Sequence, residues 1–190
     1  MEKTITLLKE HLQPLLEEDR VVIIAIDGSC TAGKSTLAAA LAKEYDCNVF
    51  HMDDYFLQLH QRTPERLAET GGNVDYERFL REVLGGISTG MPFAYRPYDC
   101  STGSLKERVW VQPKQLNIVE GTYSHHPYFG DVYDLRIYLT VEDALRTERI
   151  KQRPAFLQQR FFEVWIPMEQ RYFKELEIPA RSHLVLDTNG

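Results

Sequence analysis

Hydrophobic positions fall into two rhythms along the chain, one of period near 3.6 and one continuous over short runs. Residues 4 to 19 carry Ile5, Leu8, Leu12, Leu15 and Leu16 at helical spacing, which predicts an amphipathic helix, interrupted or bent near Pro14. Val21 to Ile26 is apolar without alternation, as expected of a strand covered on both faces in the middle of a parallel sheet. The Leu- and Ala-rich segment Thr36 to Ala42 predicts a helix, and Cys47 to Met52 a second strand. Strand, helix and strand within about thirty residues form the unit from which parallel sheets are built.

From Gln58 to Gly103 the pattern changes to a polar stretch punctuated by Pro64, Gly71, Gly72, Gly85, Gly86, Gly90, Pro92 and Pro97. Within it only Tyr76 to Leu84 reads as a helix, and the rest is expected as loop or short strand over a site. Val109 to Val111 is expected as a small edge strand. Sheet signals return at Leu116 to Val119 and Leu135 to Leu139, with Thr122 to Tyr133 between them as helix or loop. Glu142 to Arg153 reads as a helix ending at Pro154, Phe156 to Leu176 as a second helix broken near Pro167, and His183 to Leu186 as a last strand. Five apolar strands alternating with helices predict a single α/β domain over 1–190, a doubly wound parallel five-stranded sheet with helices on both faces.

The length of 190 residues, 43% hydrophobic and 26% charged, suits one soluble domain. The formal net charge of -6 argues against a surface that coats nucleic acid. No run reaches the roughly 20 apolar residues of a membrane span, and Met1-Glu-Lys-Thr4 does not resemble a signal peptide, so a cytoplasmic location is expected. Cys30, Cys47 and Cys100 lack C-x-x-C spacing and are expected as free thiols.

The chemistry concentrates after the first strand. Gly28-Ser29-Cys30-Thr31-Ala32-Gly33-Lys34-Ser35, followed by Thr36, has the spacing G-x-x-x-x-G-K-S/T between a predicted strand and a predicted helix. Such a loop turns its backbone N–H groups inward around phosphate oxygens, helped by the positive end of the helix. Lys34 would reach the outer phosphates and Ser35 would bind Mg²⁺. Ligands of open parallel sheets sit beyond the carboxyl ends of the strands, which brings Asp53 and Asp54, closing the second strand, and Glu120, closing another, to the same place. One carboxylate of the Asp pair suits a base for an attacking hydroxyl, and Glu120 suits Mg²⁺ directly or through water. Arg146, Arg149, Lys151 and Arg153 form either a solvated helix face or a lid over the phosphates, with Arg149 and Arg153, four residues apart, the candidate pair. His125 and His126 are adjacent and do not face one way, so a surface or supporting role is expected rather than a zinc site.

Together with Ile26-Asp27 ahead of the loop, Phe50 to Phe56, Asn73 to Tyr76, Tyr98-Asp99 and Val119 to Gly121, these segments resemble the uridine kinase family of P-loop kinases, which includes nicotinamide riboside kinase and, more distantly, phosphoribulokinase and bacterial pantothenate kinase. The resemblance implies that Asp53 is the catalytic base, that Asp75 holds ribose hydroxyls, that Tyr98, with Asp99 beside it, contacts base or sugar, and that Glu120 helps to hold Mg²⁺. Residues 58–103 would be the acceptor-binding insertion and 146–165 the lid. Cys100 to Gly103 stands where family uridine kinases carry a His that reads the pyrimidine, and Pro154 to Leu157 departs from the polar lid expected. The expected function is ATP- and Mg²⁺-dependent phosphorylation of the primary hydroxyl of a nucleoside. The expected partner is a small-molecule acceptor, with no nucleic acid or membrane and a possible homo-oligomer. Alternatives are a kinase of another hydroxylated metabolite, of the nicotinamide riboside, pantothenate or sugar phosphate type, and a non-catalytic nucleotide-binding regulator. A guanine-specific switch would show Asn-Lys-x-Asp, which the chain lacks.

Overall fold

The computed structural model describes residues 2–189. Helix α1 (Glu2–Leu16) precedes β1 (Val22–Gly28), α2 (Lys34–Glu44) and β2 (Cys47–His51). A 3₁₀ turn (Met52–Tyr55), a short helix α3 (Pro64–Ala68) and helix α4 over 76–88 follow, with a π-helical middle at Leu80–Leu84 in α4. Four short strands come next: β3 (Phe93–Tyr95), β4 (Tyr98–Asp99), β5 (Ser104–Leu105) and β6 (Val109–Val111). Then come β7 (Leu116–Glu120), β8 (Leu135–Thr140), α5 (Asp143–Lys151), α6 over 155–175 and β9 (Leu184–Asp187).

The sheet has five parallel strands in the order β2-β7-β1-β8-β9. β1 is central, and its apolar run serves two cores. Ile24 and Ile26 face Leu8 and Leu12 of α1 and Leu37 and Leu41 of α2, while Ala25 faces Phe50, Tyr138 and Tyr172 on the other side. Each such aliphatic side chain contributes about 1.5–3 kcal/mol by leaving water, which is why β1 shows no polar alternation.

Four expectations change in detail. Helix α1 runs through Pro14, which falls in its last turn, and ends two residues later. Val109 to Val111 lies outside the main sheet, paired antiparallel with β3. Residues 76–88 continue as helix past Leu84, whereas 122–133, expected as helix or loop, do form a loop, with one 3₁₀ turn at Pro127–Phe129. Helix α6 is not broken at Pro167: a π turn at Phe161–Trp165 comes before it, and Pro167 begins the final α segment, Ile166–Glu175. A proline lacks the N–H that an α-helix needs and crowds the carbonyl one turn back, and the wider turn relieves both.

Candidate active site

The phosphate loop joins β1 to α2. Gly28, at φ +139, could carry no side chain, because a Cβ there would lie 2.2 Å from the Leu139 carbonyl oxygen. Gly33, in the left-handed region at φ 89, starts α2 without a side-chain cap, and the first turn holds no acid. The helix therefore presents bare amides and its positive end to the cleft. The Lys34 ammonium, 9% exposed, donates to the carbonyls of Gly28 (2.7 Å) and Ser29 (2.9 Å). Arg149 donates to the Thr31 carbonyl (2.8 Å) and the Thr188 carbonyl (3.3 Å), so α5 is tied directly to the loop.

A cleft of about 790 Å³ opens here, beyond the carboxyl ends of β1, β2 and β7. Cys30 to Thr36, Asp53, Glu120, Arg149 and Arg153 all line it. The Ser35 hydroxyl sits 3.0 and 3.1 Å from the two oxygens of Glu120, itself 4% exposed. His51 Nδ1 bonds Glu120 Oε1 at 2.5 Å, and this partner raises the His51 pKa, with burial opposing and Asp54 and Asp53 assisting. Hydroxyl and carboxylate oxygens are hard donors, so Ser35 and Glu120 fit Mg²⁺ and do not fit a soft metal.

Asp53 begins the turn after β2, which is pinned by fully buried Tyr55 against Phe79 (centroids 4.9 Å apart) and beneath Arg78 (4.0 Å). Asp53 is solvent-exposed and borders the cleft. Desolvation raises its pKa, Lys34 opposes, and Glu120 and Asp54 add to the rise. A carboxyl raised in this way moves toward the range of a working general base.

Asp75, Tyr98 and Asp99 do not line the cleft. Asp75 is 3% exposed and caps α4, accepting from the Arg78 amide (3.1 Å), Arg78 Nε (3.3 Å) and Gln61 (2.8 Å). The Tyr98 hydroxyl is buried with no hydrogen-bond partner among the described residues. Asp99 caps a turn, bonding the Ser101 amide (2.8 Å) and hydroxyl (2.6 Å). The histidines are more enclosed than expected: His125 bonds the Ala25 carbonyl (3.2 Å), His126 stacks on Tyr76 (4.4 Å), and burial lowers both pKa values. The cysteines are free, and burial, with Glu169 nearby, pushes the Cys30 thiol up to about 12, so it is not a thiolate nucleophile.

Several site residues were not singled out as candidates in the sequence, although Asp27 and Asn73 lie within the segments that carry the resemblance. Fully buried Asp27 accepts from the Gly28 amide (2.6 Å), the His125 amide (2.9 Å) and the Tyr172 hydroxyl (2.8 Å), binding the base of the loop to the β7 exit and to α6. Glu169 of α6, 3% exposed, accepts from the Cys30 amide (2.9 Å) and stands 3.8 Å from Arg146. Desolvation raises its pKa, with Lys34 opposing most strongly. Asn73 and Tyr123 also line the cleft.

No family model and no curated protein matches the chain. Solved structures do match over nearly its whole length. A possible uridine kinase from Bacillus stearothermophilus is 19% identical with a TM-score of 0.67, covering 95% of this chain and 99% of that one. A candidate fructose transport system kinase from Silicibacter is 22% identical with a TM-score of 0.65, covering 94% and 98%. D-glycerate 3-kinase from Cryptococcus neoformans is 13% identical with a TM-score of 0.62, covering 90% and 87%. The chain thus has the fold of the uridine kinase-like P-loop kinases.

Proposed function

We propose that the chain is an ATP- and Mg²⁺-dependent kinase that phosphorylates the primary hydroxyl of a nucleoside or similar ribosyl compound, acting in the cytoplasm. The observation that carries this reading is the single cleft onto which the phosphate loop, the Ser35–Glu120 pair and Asp53 converge. A pure nucleotide binder has no use for a carboxylate in the position of Asp53, at the mouth of the phosphate-loop cleft.

The loop amides from Cys30 to Thr36 would bind the phosphates, and Lys34 would leave the Gly28 and Ser29 carbonyls for the β- and γ-phosphate oxygens. Mg²⁺ held by Ser35 and Glu120 would neutralise phosphate charge. Asp53 would take the proton of the acceptor hydroxyl as it attacks in line. Arg149 and Arg153 would offset charge on the phosphoryl group in flight, and Asp75, Tyr98 and Asp99 are assigned to the rim of the acceptor site on the family resemblance alone.

A second acceptor class is favoured by one observation. Tyr98, Asp99 and the exposed Cys100 that replaces a pyrimidine-reading His all lie outside the cleft lining, so nothing there specifies uracil. The nicotinamide riboside, pantothenate and sugar phosphate types therefore belong in the test. ADP formation from ATP and Mg²⁺ is measured with each acceptor and without any. Acceptor-dependent turnover that Asp53→Asn lowers by about 10²–10⁴-fold, with ATP binding retained, is expected. Brisk hydrolysis without acceptor, unchanged by Asp53→Asn, would replace the kinase with a nucleotide-hydrolysing switch.

A further inference from the structure

Among the described residues the Asp53 carboxylate accepts no hydrogen bond. Its place at the cleft is therefore set by the backbone of its turn, Met52–Tyr55, and that turn is held from the side away from the cleft. The carbonyls of the next two residues both accept hydrogen bonds from the start of α4: Asp54 from the Arg78 guanidinium (3.2 Å) and Tyr55 from the Asp75 amide (2.6 Å).

Arg78, 4% exposed, reaches further than this contact. Its Nε donates to Asp75 Oδ2 (3.3 Å), and the terminal nitrogen that does not hold Asp54 donates to the Arg96 carbonyl (2.7 Å) and to Glu82 Oε2 (3.3 Å). The Tyr55 ring lies 4.0 Å from the guanidinium carbon. One side chain thus joins three segments: the turn that carries Asp53, the first turn of α4, and the connection between β3 and β4 at Arg96. A buried cation is costly unless its partners match it, and an apolar side chain could fill the same space. What the planar fork adds is a fixed relation between its partners, which the single ammonium of a lysine does not reproduce. Asp75 and Glu82 offset the charge, and the bond to the turn is made to a main-chain oxygen, so the Asp53 carboxylate is left free. Arg78 does not line the cleft.

Resting on the kinase assignment, we infer that Arg78 is a positioning residue for phosphoryl transfer: by holding the Asp54 carbonyl, it sets the Asp53 carboxylate where it can take the proton of the acceptor hydroxyl. It acts through Asp53 and touches neither nucleotide nor acceptor. A general base works only within about 2.6–3.2 Å of the proton's donor, and a misplacement of about 1 Å costs on the order of a hundredfold in rate.

The test is a double-variant cycle on kcat. ADP formation is measured with ATP, Mg²⁺ and whichever of uridine, nicotinamide riboside, pantothenate and ribulose 5-phosphate is turned over fastest, per ATP-binding site counted by calorimetry, with melting curves to confirm folding. Arg78→Lys is expected to lower kcat about a hundredfold in the native background and by less than about threefold once Asp53→Asn has removed the base, because the two act as a unit; the ATP Kd stays within about twofold. Glu82→Ala releases one side of the guanidinium without removing it and serves if Arg78→Lys does not fold; its loss of about tenfold should depend on Asp53 in the same way. Leu8→Ala, buried on the opposite face of the sheet, is expected to lower the melting temperature and leave kcat unchanged. Equal losses with and without Asp53, or wild-type kcat in both variants, would overturn the inference and leave the kinase standing. Wild-type turnover in Asp53→Asn would remove the base and the inference with it, and no turnover on any acceptor would remove the kinase assignment as well.

Discussion

Asp27→Asn isolates the joint beneath the phosphate loop. In the native chain Oδ1 accepts from the Gly28 amide, while Oδ2 accepts from the His125 amide and the Tyr172 hydroxyl. An asparagine has one oxygen for these three donors. Turned with its oxygen toward His125 and Tyr172, it sets its NH₂ against the Gly28 N–H, leaving two donors unmatched in a site with no solvent access. At about 1–3 kcal/mol for each unsatisfied buried group, the cost is about 2–6 kcal/mol. For a domain of this size that corresponds to a melting temperature lowered by roughly 4–24 °C. Tyr172→Phe removes one donor and strands none, so it is expected to cost only about 0.5–1.5 kcal/mol, and the double variant should cost less than the sum because both act on one carboxyl. Urea denaturation followed by circular dichroism gives these differences from the midpoints at constant slope. An Asp27→Asn midpoint equal to that of wild type would show that the three bonds contribute nothing net, and the mechanical link from loop to α6 would have to be abandoned.

Three further outcomes follow from the same geometry. Asp53 has a folded-state pKa raised above its ordinary 3.8, first by desolvation, so kcat should fall as pH drops through the raised value. The stability this group provides is present below pH 3.8 and lost as pH rises through the raised value; Asp53→Asn should therefore melt higher than wild type at pH 7, with the gap closing in acid, and a lower melting point at pH 7 would contradict the desolvation. Ser35→Ala removes the hydroxyl that sits 3.0 Å from Glu120 and should raise the Mg²⁺ concentration for half-maximal turnover by about tenfold or more; an unchanged Mg²⁺ titration would exclude Ser35 as a ligand. Gly121→Ala places a Cβ 2.8 Å from Met52 Cβ at φ +134, a strain of about 1–3 kcal/mol that calorimetry would register as a lower melting temperature; a wild-type value would show that the β7 exit adjusts freely.

What could be read from the sequence was whatever is written locally. β1 declared itself because both its faces are buried, so its residues are uniformly apolar. The phosphate loop declared itself because its backbone geometry needs glycine at fixed spacing, and the strand-end rule for parallel sheets then carried Asp53 and Glu120 into the same cleft. Helix α6 was harder, since Pro167 reads as a break until the π turn before it is known. The partners of the buried acids were invisible for a different reason. Glu169 meets Cys30 across 139 positions, and Asp27 meets His125 across 98. A lone acid on an amphipathic helix has the spacing of any surface residue, and only the sheet order brings α6 over the loop.

The same distinction explains why the donor half of the cleft is easier to recognise than the acceptor half. Phosphate is bound by backbone amides, which impose a sequence pattern because only certain residues allow the backbone to turn that way. The rest of the cleft is lined by single side chains arriving from the β2 exit, the 58–103 segment and α6, and no spacing rule links Asp53, Asn73 and Glu169. Their shared property is spatial. All three line one space with the rings of Phe56, Tyr123 and Trp165, brought there from distant parts of the chain by the sheet order, in a fold whose structural neighbours carry names spanning uridine, fructose and glycerate kinases.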